Sequence, residues 1–551
     1  MEGCEMDGKK VLRISCLFAL MMLTVTGLTM SLWSSQSAVK SRVPHFQTSD
    51  RCVACHNGLS TRAGEDISIG LAWQPTMMAN AARDPYWHAG VRRETMDHPE
   101  SRAAIEDECS ICHMPMARFE SKSGGHEGTV FAHLGFLPGN LNDELAADGV
   151  SCSLCHQIGK ENLGARESFV GNFVIGGPNV QGNRLEFGPF APDAGHIRIM
   201  QSSTGGFLPT ESAHIRESEL CATCHTLITK SLGPGGKTIG EFPEQVPYQE
   251  WQHSEYRLKR SCQSCHMPVI QEDVAITSVQ GVPRNGVSRH VFLGGNFFVS
   301  GILNRYRNEL SVQADPDEFA NSIQRTKEHL QAEAARITIG KPEERSGRLE
   351  TEVIIENFGG HKLPTAYPSR RVWLHVTVRD KNNRTVFESG AMHPTGAIED
   401  NDNDSDATQF EPHYTEIRRA GQVQIYEAIM ADGNGGVTTG LLHAVRYAKD
   451  NRLLPRGFDK NIADKDVAVA GDALEDADFV GGGDRIRYSI DPGTAQGPFR
   501  IEAELCYQPI GYRWAVNLKS YNAEEPQRFS RYYEAASASS MHVLARAHAE
   551  Q

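Results

Sequence analysis

The sequence Cys-x-x-Cys-His occurs five times, and no other feature restricts the fold of this chain as strongly. The copies are Cys52-Val53-Ala54-Cys55-His56, Cys109-Ser110-Ile111-Cys112-His113, Cys152-Ser153-Leu154-Cys155-His156, Cys221-Ala222-Thr223-Cys224-His225 and Cys262-Gln263-Ser264-Cys265-His266. With 13 cysteines and 22 histidines in 551 residues, chance supplies about 0.01 such matches. The spacing has a chemical reason. Two thiols on one helical turn match the two vinyl groups of one haem, and the adjacent histidine then lies under the iron as proximal ligand. A zinc ribbon takes cysteine pairs in twos and gives no role to a histidine after every second cysteine. A thioredoxin-like pair occurs once, near a βαβ pattern. The expected cofactors are therefore five c-type haems, with His56, His113, His156, His225 and His266 as proximal iron ligands.

All ten motif cysteines fall between Cys52 and Cys265, so the rings must be near neighbours able to exchange electrons. Of the remaining three, Cys4 and Cys16 lie in the leader, and Cys506 is expected to be a buried strand residue. The formal net charge is −14, which haem propionates would deepen. Nucleic acid is excluded as a partner, because phosphate binding needs a basic surface. A basic redox partner, or none, is the expectation that follows.

The fold class expected is α+β, in four segments. Residues 1–38 form a signal peptide or a signal anchor. Lys9, Lys10 and Arg13 precede an uncharged run over 14–33, and small residues follow. Residues 39–310 form an irregular, mainly helical multihaem domain, rich in Gly, Pro and His, whose core the haems supply. Residues 311–336 read as a connecting helix capped by Asp315, with Leu330, Ala332 and Ala335 on its buried side. Residues 337–551 read as an antiparallel β-sandwich-like domain. Residues 349–355 and 372–378 alternate or run apolar, Lys381-Asn382-Asn383 marks a turn, and 486–490 and 499–507 continue the pattern.

Each iron needs a sixth ligand or keeps an open face. A second histidine closes it for electron transfer, and an open face permits substrate chemistry. Nine further histidines lie between residues 39 and 310. The distal candidates are His98, His133, His214, His290 and, from beyond that zone, His361. The acidic run Asp400-Asn401-Asp402-Asn403-Asp404-Ser405-Asp406, followed by Glu411, places Asp400, Asp402, Asp404 and Glu411 at the oxygen positions of a calcium loop. Ser405 stands where such a loop has Gly, so a plain solvated loop is the competing reading.

Tyr248-Gln249-Glu250-Trp251 ahead of the fifth motif, Asp148-Gly149-Val150-Ser151-Cys152, and Gly360-His361-Lys362-Leu363-Pro364-Thr365 together resemble a family of bacterial multihaem cytochromes. Some of its members join a haem domain to a C-terminal β domain. A more distant resemblance is to nitrifier electron-transfer cytochromes and to octahaem hydroxylamine oxidoreductase, from which five motifs instead of eight depart. The resemblance implies electron transfer in the periplasm or at the cell surface. Two other functions stay open: an oxidoreductase acting on a small nitrogen or sulfur compound at one open haem, and a structural subunit of a cytochrome assembly.

Overall fold

The alternation read over residues 349–355 becomes a strand, Arg348–Asn357, whose buried positions are Leu349, Thr351, Val353, Ile355 and Asn357. A computed structural model describes residues 45–551. The signal or anchor expected at 1–38 lies outside the described residues.

The chain is α+β. Strands β1 (Leu227–Leu232) and β2 (Thr238–Gln245) form a hairpin within the motif-bearing part. The C-terminal part holds two mainly antiparallel sheets. In the first, β3 (Ala335–Ile339), β4 (Arg348–Asn357) and β8 (Gly483–Ile490) are neighbours in the order β8-β4-β3. In the second, β5 (Arg371–Arg379) is central between β6 (Ile425–Asp432) and β9 (Arg500–Gln508). There β7 (Ala444–Asp450) flanks β6, and β10 (His542–Glu550) flanks β9. The turn read at Lys381-Asn382-Asn383 is present, with Asn383 at φ 63°.

The connecting helix runs over Pro316–Glu333, with Asp315 and Glu318 in a reciprocal capping box. It is shorter than the reading over 311–336: Ala335 and Arg336 belong to β3. Leu330 packs against the core, but Ala332 faces solvent. One apolar core takes residues from both parts, from Ala89, Phe242 and Phe297 through Trp514 to Leu544. Residues 46–551 accordingly form a single packed unit.

Cys506 sits on β9, 1% exposed, and burial pushes its thiol well above the usual range. The folded protein should therefore leave Cys506 unmodified by iodoacetamide, with labelling by mass spectrometry appearing only after denaturation. Labelling of the native protein at the denatured rate would contradict this placement.

Candidate functional site

Each motif occupies a short helix or a helix end. These are α1 (Asp50–His56), the end of α3 (Arg102–His113), α4 (Cys152–Cys155), α6 (Ser218–Ala222) and α7 (Cys262–His266). Residues three apart on a helical turn share a face, so each turn presents both thiols together. Helix α2 (Pro85–Asp97), α5 (Ala194–Thr204) and α8 (Pro316–Glu333) complete the surroundings.

All ten motif cysteines and all five motif histidines line one cavity of about 1230 Å³. The thiols of different motifs approach each other there. Cys52 is within hydrogen-bonding reach of Cys152, Cys112 of Cys224, and Cys221 of Cys262. Cys155 lies close enough to Cys221 and Cys224 to act on both electrostatically.

Four motif histidines are oriented by backbone carbonyls. The Nδ1 atoms of His56, His113 and His156 bond the carbonyl oxygens of Ile276 (2.6 Å), Ala81 (3.0 Å) and Phe187 (2.6 Å). That of His266 bonds Leu293 O. An Nδ1–H donated to a carbonyl leaves the Nε2 lone pair free for a metal. Burial lowers all five imidazoles, His113 and His266 to about 4. They are thus neutral, the form that binds iron. The donor set (paired thiols, an anchored neutral imidazole beside each pair, an apolar-walled cavity) fits covalent haem attachment.

Four other histidines share the cavity wall: His196, His290, His329 and His361. The ring of His290 lies 6.4 Å from that of His156, inclined 21°, and His361 lies 6.2 Å from His266, inclined 15°. Two imidazoles on opposite sides of one metal, each about 2 Å from it, hold their centroids roughly 6 Å apart. Both spacings fit an iron between the rings. Each outer ring also has Nδ1 on a carbonyl, Ser288 O for His290 (3.2 Å) and Lys362 O for His361 (3.0 Å).

The other three distal candidates do not reach the cavity wall. His214 has both nitrogens engaged, by Ser212 Oγ (2.6 Å) and Ile158 O (2.8 Å). His133 pairs with Asp143 at 2.6 Å. His98 packs its ring 4.5 Å from His443. The residues missed were His196 and His329. His329 belongs to a stripe of α8, Ser322, Thr326, His329 and Glu333, that faces the cavity at helical spacing. His196 has its Nδ1 held by Asp193 at 2.5 Å, a carboxylate three residues earlier in sequence, and its Nε2 is buried without a partner.

The calcium reading is corrected. Asp404 forms a bidentate pair with Arg371 (2.8 and 2.9 Å), so a guanidinium already occupies the position a cation would need. Glu411 accepts from Asp402 N and from Tyr414 Oη, and Asp400 is exposed. Among the described residues, metal-type donors converge instead at His413, Asp476 and Asp484. There His413 Nδ1 accepts from Gln424 and Asn451, so Nε2 carries the proton it gives Asp476.

A buried ionic network fixes the loop that presents His361. Glu250, ahead of the fifth motif, accepts from Lys362 N (3.1 Å) and Thr365 Oγ1 (2.5 Å) and pairs with Arg452 (2.9 Å). Asp450 takes Lys362 Nζ (2.7 Å) and Arg452 (2.8 Å). Burial alone would raise Asp450, but Arg452 and Lys362 hold it well below the carboxylate range. Glu250→Ala leaves two cations facing one carboxylate with the surroundings dry. Breaking such a buried network costs about 3–5 kcal/mol, measurable as a fall in the denaturant midpoint. A loss under about 1 kcal/mol would contradict the arrangement.

No family model matches the chain, and no curated protein matches it. Its fold is similar to that of a penta-haem cytochrome c552 from Thermochromatium tepidum, with a TM-score of 0.52 and 14% identity over 92% of this chain and 99% of that one. At that identity the likeness is one of fold.

Proposed function

We propose, from that likeness of fold and from the cavity's donor set, that this protein is an exported c-type cytochrome. Five covalently attached haems pass electrons between redox partners in the periplasm or at the cell surface. The observation that carries this is the convergence of all five motifs on one cavity, with thiols of different motifs in contact. A cysteine bound to one haem cannot touch a cysteine bound to another unless the two haem edges are neighbours.

The thiol contacts also give the order. The His56 haem neighbours the His156 haem, and that one neighbours the His225 haem. The His225 haem then neighbours both the His113 and the His266 haems. The path is branched, with the fourth motif at the fork. His290 is the second ligand of the His156 iron and His361 that of the His266 iron, which makes both low-spin, closed electron-transfer centres. The acidic surface, net charge −14, suits a basic redox partner. Among the described residues no helix is long and apolar enough to cross a membrane.

Pyridine haemochrome assay should return five haems per chain; fewer than five would defeat the reading. His290→Ala and His361→Ala should each convert one haem from low to high spin in the electron paramagnetic resonance spectrum, with the haem count unchanged. An unaltered spectrum in both would remove these two ligand assignments.

A further inference from the structure

The five-haem reading leaves a shortage of second histidines. Five irons share a cavity wall that offers only four non-motif histidines among the described residues. Two of these, His290 and His361, face His156 and His266. His329 stands 6.5 Å from His266, on α8. His196 is carried by α5, which lies against α1 and so against the first motif. None of the four belongs to the elements around the second motif.

That end of the cavity is built by α2, the β1-β2 hairpin and the loop before β7. Its wall presents Tyr86, Trp87, Arg93, Glu94, Glu244 and Leu442. Trp87 stacks flat on the His113 ring at 4.3 Å and 2°. The nearest histidine on α2, His88, has both nitrogens engaged, by Ala82 O (2.7 Å) and by Arg528 (3.1 Å). Three carboxyls, Glu108, Glu244 and Glu94, act electrostatically on the Cys109 thiol. Glu94 accepts from the backbone N–H groups of Leu441 and Leu442. Glu244 is only 4% exposed, and Glu108 is half-buried. Both reach the cavity wall, and neither carboxyl is hydrogen-bonded to any described residue. An unpartnered buried carboxyl is costly unless something in the cavity meets it.

We propose that the haem attached at Cys109 and Cys112 has no second histidine and binds a small ligand at its iron, beside the carboxyls of Glu108 and Glu244. This rests on the five-haem reading and gives one of its irons a ligand site. Burial raises both glutamates, Glu244 well above the ordinary range, which favours the acid form and with it hydrogen-bond donation by Glu244. A carboxyl in the acid form beside the iron can donate a hydrogen bond to a ligand of the size of carbon monoxide or nitric oxide. Thiol contact joins this haem to the His225 haem alone, so it ends a branch of the electron path and is not a relay within it.

The test is carbon monoxide binding to the dithionite-reduced holoprotein. One haem of the five should shift its Soret band, and Glu244→Gln and Glu108→Gln should move the C–O stretching frequency while keeping the haem count. His98→Ala, which alters the remaining unpartnered histidine near α2, should leave the adduct unchanged. No adduct in a protein carrying five haems would overturn the proposal. So would an adduct that appears only in His98→Ala, or one whose C–O stretch ignores both glutamate variants. A haem count below five would instead overturn the reading on which the proposal rests.

Discussion

The buried charges of Glu250, Lys362, Asp450 and Arg452 hold together the two halves of this chain where the motif-bearing part and the sheets meet. Glu250 belongs to the helix that precedes the fifth motif. Lys362 belongs to the loop between β4 and β5, and Asp450 ends β7. Such a network need not add stability over an apolar replacement. What it does is fix register. Lys362 cannot slide without stranding its ammonium, so its neighbour His361 stays 6.2 Å from His266. The loop between two sheet strands thereby contributes an imidazole to the cavity wall that the motifs line. This also explains why the apolar core does not divide at residue 310.

The motif-bearing part follows a different logic. Its helices are short and its own apolar clusters are small. Order there comes from backbone carbonyls that each orient one imidazole, and from thiols of different motifs that cluster in one cavity. In the proposed cytochrome, rings tied by two thioethers and an imidazole would supply the core such a segment otherwise lacks. The fork at the fourth motif follows from the same crowding, because its two cysteines face three other motifs.

Much of this was legible in the sequence for local reasons. A motif of fixed spacing carries its own geometry, so the ten cysteines and five histidines that meet on one cavity wall could be named outright. Strands β4, β5, β8 and β9 announced themselves by apolar residues that alternate or run continuously. His290 and His361 sat in glycine-flanked loops that let an imidazole approach a ring. His329 was hidden because its helix also reads as a plain connector, and only the Ser322–Thr326–His329–Glu333 stripe reveals a second face. His196 was hidden because the Asp193 contact that orients it looks like an ordinary helix start. The calcium loop misled because spacing along the chain says nothing of Arg371, which arrives from 33 residues earlier to neutralise Asp404. His214, His133 and His98 failed for the same reason: their partners are set by tertiary packing.

The account turns on the claim that five haems form one branched cluster centred on the fourth motif. An anomalous difference map at the iron absorption edge, from crystals of the holoprotein, tests it most directly. The account predicts five iron peaks, with the iron bound by His225 having three of the others as near neighbours and the irons of His56, His113 and His266 at the ends. A linear chain of irons, or a His225 iron with a single neighbour, would contradict it.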